Sequence, residues 1–133
     1  MSQRVLYPLE RRNGLLFVRV SVGTGVTPPV VARLLVDTGS SYTVLSTQIL
    51  VRSGCEIPRS PRLISITAAS GVVQVPRLKV PLFNALGRSQ VDYDVVALDL
   101  PPSAGADGLL GIDFLMLCDA TIEVRRSQIV IGP

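Results

Sequence analysis

Histidine is absent from this 133-residue chain, and so is tryptophan. Without an imidazole, every Ser-His and Cys-His nucleophilic mechanism is excluded, and acid–base work falls to carboxylates, lysine or tyrosine. Lysine occurs once, at Lys79. The two cysteines, Cys55 and Cys118, stand far apart, without CxxC spacing and without a histidine to complete a zinc site. Structural, buried thiols are therefore expected rather than metal ligands or a disulfide. Aromatic residues make up only 5% of the chain, and no basic run is interleaved with them, so the stacking platform of a nucleic-acid binder is missing despite a net charge of +3. The scattered arginines read as solvated surface. No apolar run reaches the length of a membrane span. Met1 to Arg12 carries charges throughout, unlike a signal peptide, and a cytoplasmic location is expected.

Apolar residues, by contrast, reach 47%. A Val/Leu/Ile-rich β core accounts for that, and so does an obligate oligomer interface, which resembles a core cut in half. At this length the chain reads as one domain, residues 1–133. Most apolar segments are short, β-branched and bounded by Gly, Pro or Ser, the signature of strands. "GLLFVRVSVG" alternates from Phe17 onward, "VVARLLV" runs up to Asp37, and "YTVL" follows. "RLISITA" and "VVQVPRLKV" flank a turn at Ala69-Ser70-Gly71, and "QVDYDVVALDL" is closed by Pro101-Pro102. "ATIEV" and "QIVI" flank a solvated turn at Arg125 and Arg126, forming a terminal hairpin. Two helical windows remain, at Thr47 to Ser53 and Asp113 to Leu117. The expectation is a mainly β fold, a small closed barrel or sandwich with one or two short helices.

One carboxylate stands out. In "LLVDTGSS" an apolar strand delivers Asp37 into a turn made of Thr38, Gly39, Ser40 and Ser41. Gly39 permits backbone conformations closed to other residues and lets another segment approach closely. Thr38 and Ser40 supply hydroxyls. On this spacing alone an ordinary Asx turn explains Asp37 as well as a functional site does. Asp92, Asp94, Asp99, Asp107, Asp113 and Asp119 have no such surroundings and read as surface or loop carboxylates. Asp92 and Asp94 share a strand face, but with no third ligand evident they read as a solvated face and not as a metal pair.

The wider pattern resembles the retropepsin-like aspartic proteases, particularly the bacterial members. "LLVDTGSS", then "YTVLSTQIL", then the hairpin "ITAASGVVQV", then "DGLLGIDFL" occur in that family's order. The resemblance implies the retropepsin-like acid protease fold and a set of roles. Asp37 would be the catalytic aspartate. Thr38, Gly39 and Ser40 would support the active-site turn, with Ser40 bonding the carboxylate's outer oxygen. Leu109, Leu110 and Gly111 would pass behind it as structural support. Ala69, Ser70 and Gly71 would sit at the tip of a substrate-covering flap. The acidic residue and the arginine that pair in the retroviral members are replaced here by Ser41 and Ile112, both at once, so no charge is stranded.

Aspartic proteolysis needs two carboxylates that share one proton, one acting as acid while the other activates water. This chain has a single DTG. The resemblance therefore implies a homodimeric endopeptidase with its site on the two-fold axis, using no metal and no other cofactor, and acting on an extended peptide or protein substrate. Neither nucleic acid nor membrane is an expected partner. Terminal strands at Val5 to Leu9 and Gln128 to Ile131 would join the subunits, with residues 1–12 forming a flexible or interface arm. The alternative of a different class is a retropepsin-like dimerisation or peptide-binding module with little turnover. A barrel unrelated to proteases would have to treat both DTGS and GLLG as coincidence.

Overall fold

The alternation that begins near Phe17 becomes a strand, β3 (Leu15–Gly23), whose Val18, Val20 and Val22 are buried while Arg19 is exposed. It is preceded by β1 (Val5–Pro8) and β2 (Glu10–Arg12) and followed by β4 (Val30–Val36). The computed structural model describes residues 3–68 and 71–132. Next come β5 (Val44–Leu45), helix α1 (Thr47–Arg52), β6 (Arg62–Ala68), β7 (Gly71–Ala85) and β8 (Arg88–Ala97). After a 3-10 turn at Pro102–Ala104, the chain ends with β9 (Gly108–Leu110), helix α2 (Ile112–Leu117), β10 (Ala120–Glu123) and β11 (Gln128–Ile131).

Six strands close into a barrel. β3 pairs with β4, β4 with β9, β9 with β5, β5 with β8, β8 with β7, and β7 returns to β3. The mainly β expectation and both helical windows hold, and closure leaves the ring without free edges. Its interior is filled by Leu34, Leu45, Val80, Phe83, Val95 and Leu110, all fully buried or nearly so. Phe83, Tyr93 and Phe114 form an aromatic trio with centroids 5.2–5.4 Å apart, and through it α2 docks on the barrel. The helix α1 starts at Ser46, whose side chain accepts the Ile49 N–H at 3.2 Å, and it buries Ile49 and Leu50. Cys55 and Cys118 are free and buried, as structural thiols should be.

Outside the ring, β6 hangs on β7 as a two-stranded arm whose register, Ala68 opposite Gly71, leaves two residues at its tip. Ala69 and Ser70, expected at a flap tip, lie outside the described residues. Gly71 has φ +124, a conformation that suits glycine. A smaller apolar cluster of Val44, Val75 and Val96 lies apart from the barrel interior, with Ile64, Ile66, Leu98 and Leu109 against it.

The terminal segments are paired within the chain. Val5–Pro8 pairs with β11 of the same chain, Leu9 N–H donates to Ser127, and Glu10–Arg12 pairs with β3. Residues 5–12 are thus ordered against their own subunit. The strand β11 is paired on both edges within the chain, by β1 and by β10. Only the outer edges of β1 and β10 remain open in that three-stranded sheet. Among the described residues no helix is long and apolar enough to cross a membrane.

Closure depends on β9 fitting tightly between two neighbours. A methyl group on Gly108 would stand 1.9 Å from the Val44 carbonyl oxygen and 3.0 Å from Leu34. Since that obstacle is backbone, the substitution Gly108→Ala should cost about 3 kcal/mol or more of stability. Urea unfolding followed by circular dichroism measures it, and a midpoint equal to the parent's would mean the strand can move aside.

Candidate active site

The strand β4 ends at Val36, but its ladder continues one residue further, because the Asp37 N–H donates to the Leu110 carbonyl at 3.0 Å. The chain then reverses. Ser40 N–H donates to the Asp37 carbonyl at 3.2 Å, and Gly39 N–H donates to Asp37 Oδ1 at 3.0 Å. Asp37 therefore forms an Asx turn. It also borders a cleft, so the two readings of this residue are compatible.

That cleft has a volume of about 540 Å³. One wall is the turn itself, from Asp37, Gly39, Ser40, Ser41 and Tyr42. Val44, Val96, Leu98 and Leu109 form an apolar floor, and Ser65, Ile66 and Thr67 of β6 face them from the hairpin arm. Asp37 is the one carboxylate among these lining residues. Tyr42 is half-buried at the rim, with the Arg77 guanidinium 5.3 Å from its ring centroid.

The supporting residues are arranged differently from expectation in three respects. Gly39 does not occupy a left-handed conformation. What constrains it is the neighbouring carboxylate, since a Cβ there would stand 3.3 Å from Asp37 Oδ1. The Ser40 hydroxyl donates to the Tyr42 carbonyl at 2.6 Å within the turn, and in the single chain the carboxylate is bonded by Gly39 N–H instead. Leu109 and Leu110 point to opposite faces of β9, so Leu110 is buried in the barrel while Leu109 lines the cleft. Thr38 lies exposed at the apex of the turn. Gly111 is confined, because a Cβ there would stand 2.6 Å from the Tyr42 backbone.

Asp113, read from sequence as a surface or loop carboxylate, is half-buried beside this turn. Its Oδ1 accepts from the Thr43 hydroxyl at 3.0 Å, and its Oδ2 from the Tyr93 hydroxyl at 2.6 Å. Thr43 is fully buried and also accepts the Gly111 N–H at 3.3 Å. The available signals were a lone threonine in the apolar "YTVL" and an acid two residues after Gly111, neither of which specifies its partner. Asp94 is held by Arg77 at 3.2 Å and Lys79 at 3.7 Å, and Asp92 is exposed, in line with a solvated face.

A closed barrel in which a glycine-flanked strand threads between the two arms of a carboxylate-bearing turn, under a hairpin arm, defines an acid-protease type of architecture. The comparisons agree. A family model described as aspartyl protease matches residues 18–114. The chain belongs to that family. A solved structure, the crystal structure of a retropepsin-like aspartic protease from Rickettsia conorii, superposes with a TM-score of 0.66 at 15% identity, covering 97% of this chain and 90% of that one. The fold is thus the retropepsin-like one. No curated protein matches the chain.

Burial, together with the carboxylate of Asp113, pushes the Tyr93 phenol well above its ordinary value of 10.0. A raised folded-state value means the unfolded chain releases this proton first as pH rises. The contribution of Tyr93 is then fully present below about pH 10 and is lost progressively above it. Urea midpoints measured from about pH 8 to 11 should fall less steeply for Tyr93→Phe than for the parent, and parallel curves would contradict the assignment.

Proposed function

We propose that the protein is a homodimeric aspartic endopeptidase in which Asp37 from each of two chains completes one catalytic pair. The observation that carries the reading is the single carboxylate at the cleft, on a turn whose apex is exposed. A lone carboxylate cannot act as both acid and base in one displacement, whereas two brought close share a proton and divide the roles. A second copy of the chain supplies the partner through an isologous contact of the Thr38-Gly39 apex.

In this mechanism one water lies between the two Asp37 carboxylates. The ionised one removes a proton as the water attacks the scissile carbonyl, and the protonated one donates to the developing oxyanion. The carboxyl that took the water's proton then gives it to the amide nitrogen while the other removes a proton from the gem-diol. The C–N bond breaks, amine and acid leave, and the pair again holds one proton. The chain's own residues provide the remainder. Gly39 N–H fixes the orientation of Asp37 Oδ1. The apolar floor of Val44, Val96, Leu98 and Leu109 receives a side chain of an extended peptide, and Ser65 and Thr67 on β6 bring polar groups to its other side. The β6–β7 arm, tipped by Ala69, Ser70 and Gly71, acts as the flap, excluding bulk water and aligning the bond. No metal or covalent intermediate takes part.

Because one carboxyl must stay protonated, cleavage should be strongest on the acidic side of a scan from about pH 4 to 7. A mixed peptide library read by mass spectrometry tests this against Asp37→Asn, which should lose activity by more than about a thousandfold while remaining folded. Mixing the two proteins in equal amounts, at fixed total concentration and with full exchange, should leave about one quarter of the parent activity if the site needs both chains, against about one half if it does not. Absence of cleavage by a folded dimer would identify a peptide-binding or dimerisation module instead.

A further inference from the structure

Two segments far apart in sequence meet at Asp37: the turn 37–43 and the stretch 110–113. Two backbone hydrogen bonds join them, Asp37 N–H to the Leu110 carbonyl at 3.0 Å and Ile112 N–H to the Ser40 carbonyl at 2.8 Å. A third link is made through side chains. A carboxylate only accepts, so both hydroxyls that reach Asp113 donate to it. The Thr43 oxygen is then left with a lone pair for the Gly111 N–H. The order is directional, from Gly111 N–H to the Thr43 hydroxyl to Asp113, with Tyr93 donating from the other side.

Nothing in the packing of α2 calls for this carboxylate. The helix already docks through Phe114 and Leu115, and an acid in a first helical turn is satisfied by pointing at water. Asp113 instead spans from α2 to the turn and to β8 at once, partly buried, beside a glycine whose added methyl would stand 2.7 Å from its Oδ1. Burying a charge is favourable only when its acceptors are occupied, and here each oxygen has a hydroxyl.

We propose that Asp113 is a positioning residue for Asp37, setting through Thr43 and Gly111 the place of the Leu110 carbonyl that holds the Asp37 backbone. It touches no substrate. The proposal rests on the reading of Asp37 as the catalytic carboxylate, and it deepens that reading by naming what keeps the carboxylate within reach of its counterpart. Displacement of a reacting group by about 1 Å is enough to cost a hundredfold in rate, so a hydroxyl relay remote from substrate is sufficient to matter.

The test compares Asp113→Ala and Asp113→Asn in the full-length protein, with urea midpoints to establish that each is folded. Asp113→Ala should lower kcat by about 10- to 100-fold with KM within about threefold, because the loss is of alignment and not of substrate contact. Asp113→Asn retains the bond from Thr43 on its amide oxygen and reverses the bond to Tyr93 on its amide nitrogen. It should recover kcat to within about threefold of the parent. Amide hydrogen exchange at Asp37 and Ile112 should quicken in the alanine variant and return in the asparagine one. Should Asp113→Ala not fold, Tyr93→Phe carries the test, with kcat lowered by about threefold or more and the same two amides quickened. Unchanged kcat and exchange in the folded variant would overturn the proposal, as would failure of Asp113→Asn to restore them at parental stability. If the parent itself cleaves nothing, the catalytic reading falls separately, and the exchange of those amides alone decides whether Asp113 positions the turn.

Discussion

The passage of β9 between β4 and β5 is the constraint on which the rest of this structure depends. Those two strands are the arms of the turn that carries Asp37, and β9 lies parallel to one and antiparallel to the other. The turn cannot close on itself by pairing its own arms. It must open by one strand width and fill the gap with Gly108-Leu109-Leu110, which arrive about 70 residues later. Long-range pairing of this kind costs loop-closure entropy before it returns anything, so the inserted strand has to fit closely once it is in place. Glycine at 108 and at 111 follows from that geometry. At Gly108 the space where a side chain would begin is occupied by the backbone of Val44 in β5, and at Gly111 by the backbone of Tyr42 in the turn.

From the same insertion comes the two-sided character of the region. β9 is short, yet its two leucines serve two different apolar bodies: Leu110 the barrel interior, and Leu109 the cluster beneath the β6–β7 arm. Alternation along a strand makes this unavoidable. The Asp37 turn is consequently anchored to the buried core on one side and borders the apolar floor of the cleft on the other. A site on a loop is ordinarily the least rigid part of a protein, but here the loop is held from within by a core strand.

How much of this could be read from the sequence follows the range of the interactions. The strands, both helices and the Asp37 turn come from local signals: β-branched runs, Gly and Pro punctuation, and an Asp-Thr-Gly after an apolar segment. The order of motifs led to the family and hence the fold. What stayed hidden were partnerships between residues that are individually unremarkable. Asp113 read as a surface or loop carboxylate, Leu109 was grouped with Leu110, and Thr43 and Tyr93 carried no signal that specified a partner. The paired absence of charge at Ser41 and Ile112 showed that one tie between the two segments was missing. A tie between the same two segments lies further along each, at Thr43 and Asp113, where a hydroxyl meets a carboxylate at 3.0 Å. A hydroxyl and a carboxylate complete a hydrogen bond without requiring opposite charges at a site that excludes water, which suits a buried threonine better than an arginine would.

The terminal sheet limits how two such chains can come together. In a dimer held by exchanged terminal strands, each chain leaves a strand edge for its partner to fill. Here β11 is enclosed on both sides by its own chain, and the Arg11 side chain fastens the N-terminal segment to Ser127 and the Val124 carbonyl at the last turn. For the proposed association through the Asp37 turn, the exposed surfaces at hand are the apex at Thr38 and Gly39 and the outer edge of β1, where Val5 and Leu6 are 44% and 55% exposed. Such a contact adds to a finished subunit and does not complete an unfinished one. The closed barrel and its buried core are complete within one chain. On the proposed homodimeric reading, concentration would govern activity without governing the integrity of the fold, because the group a second chain supplies is a carboxylate and not a strand.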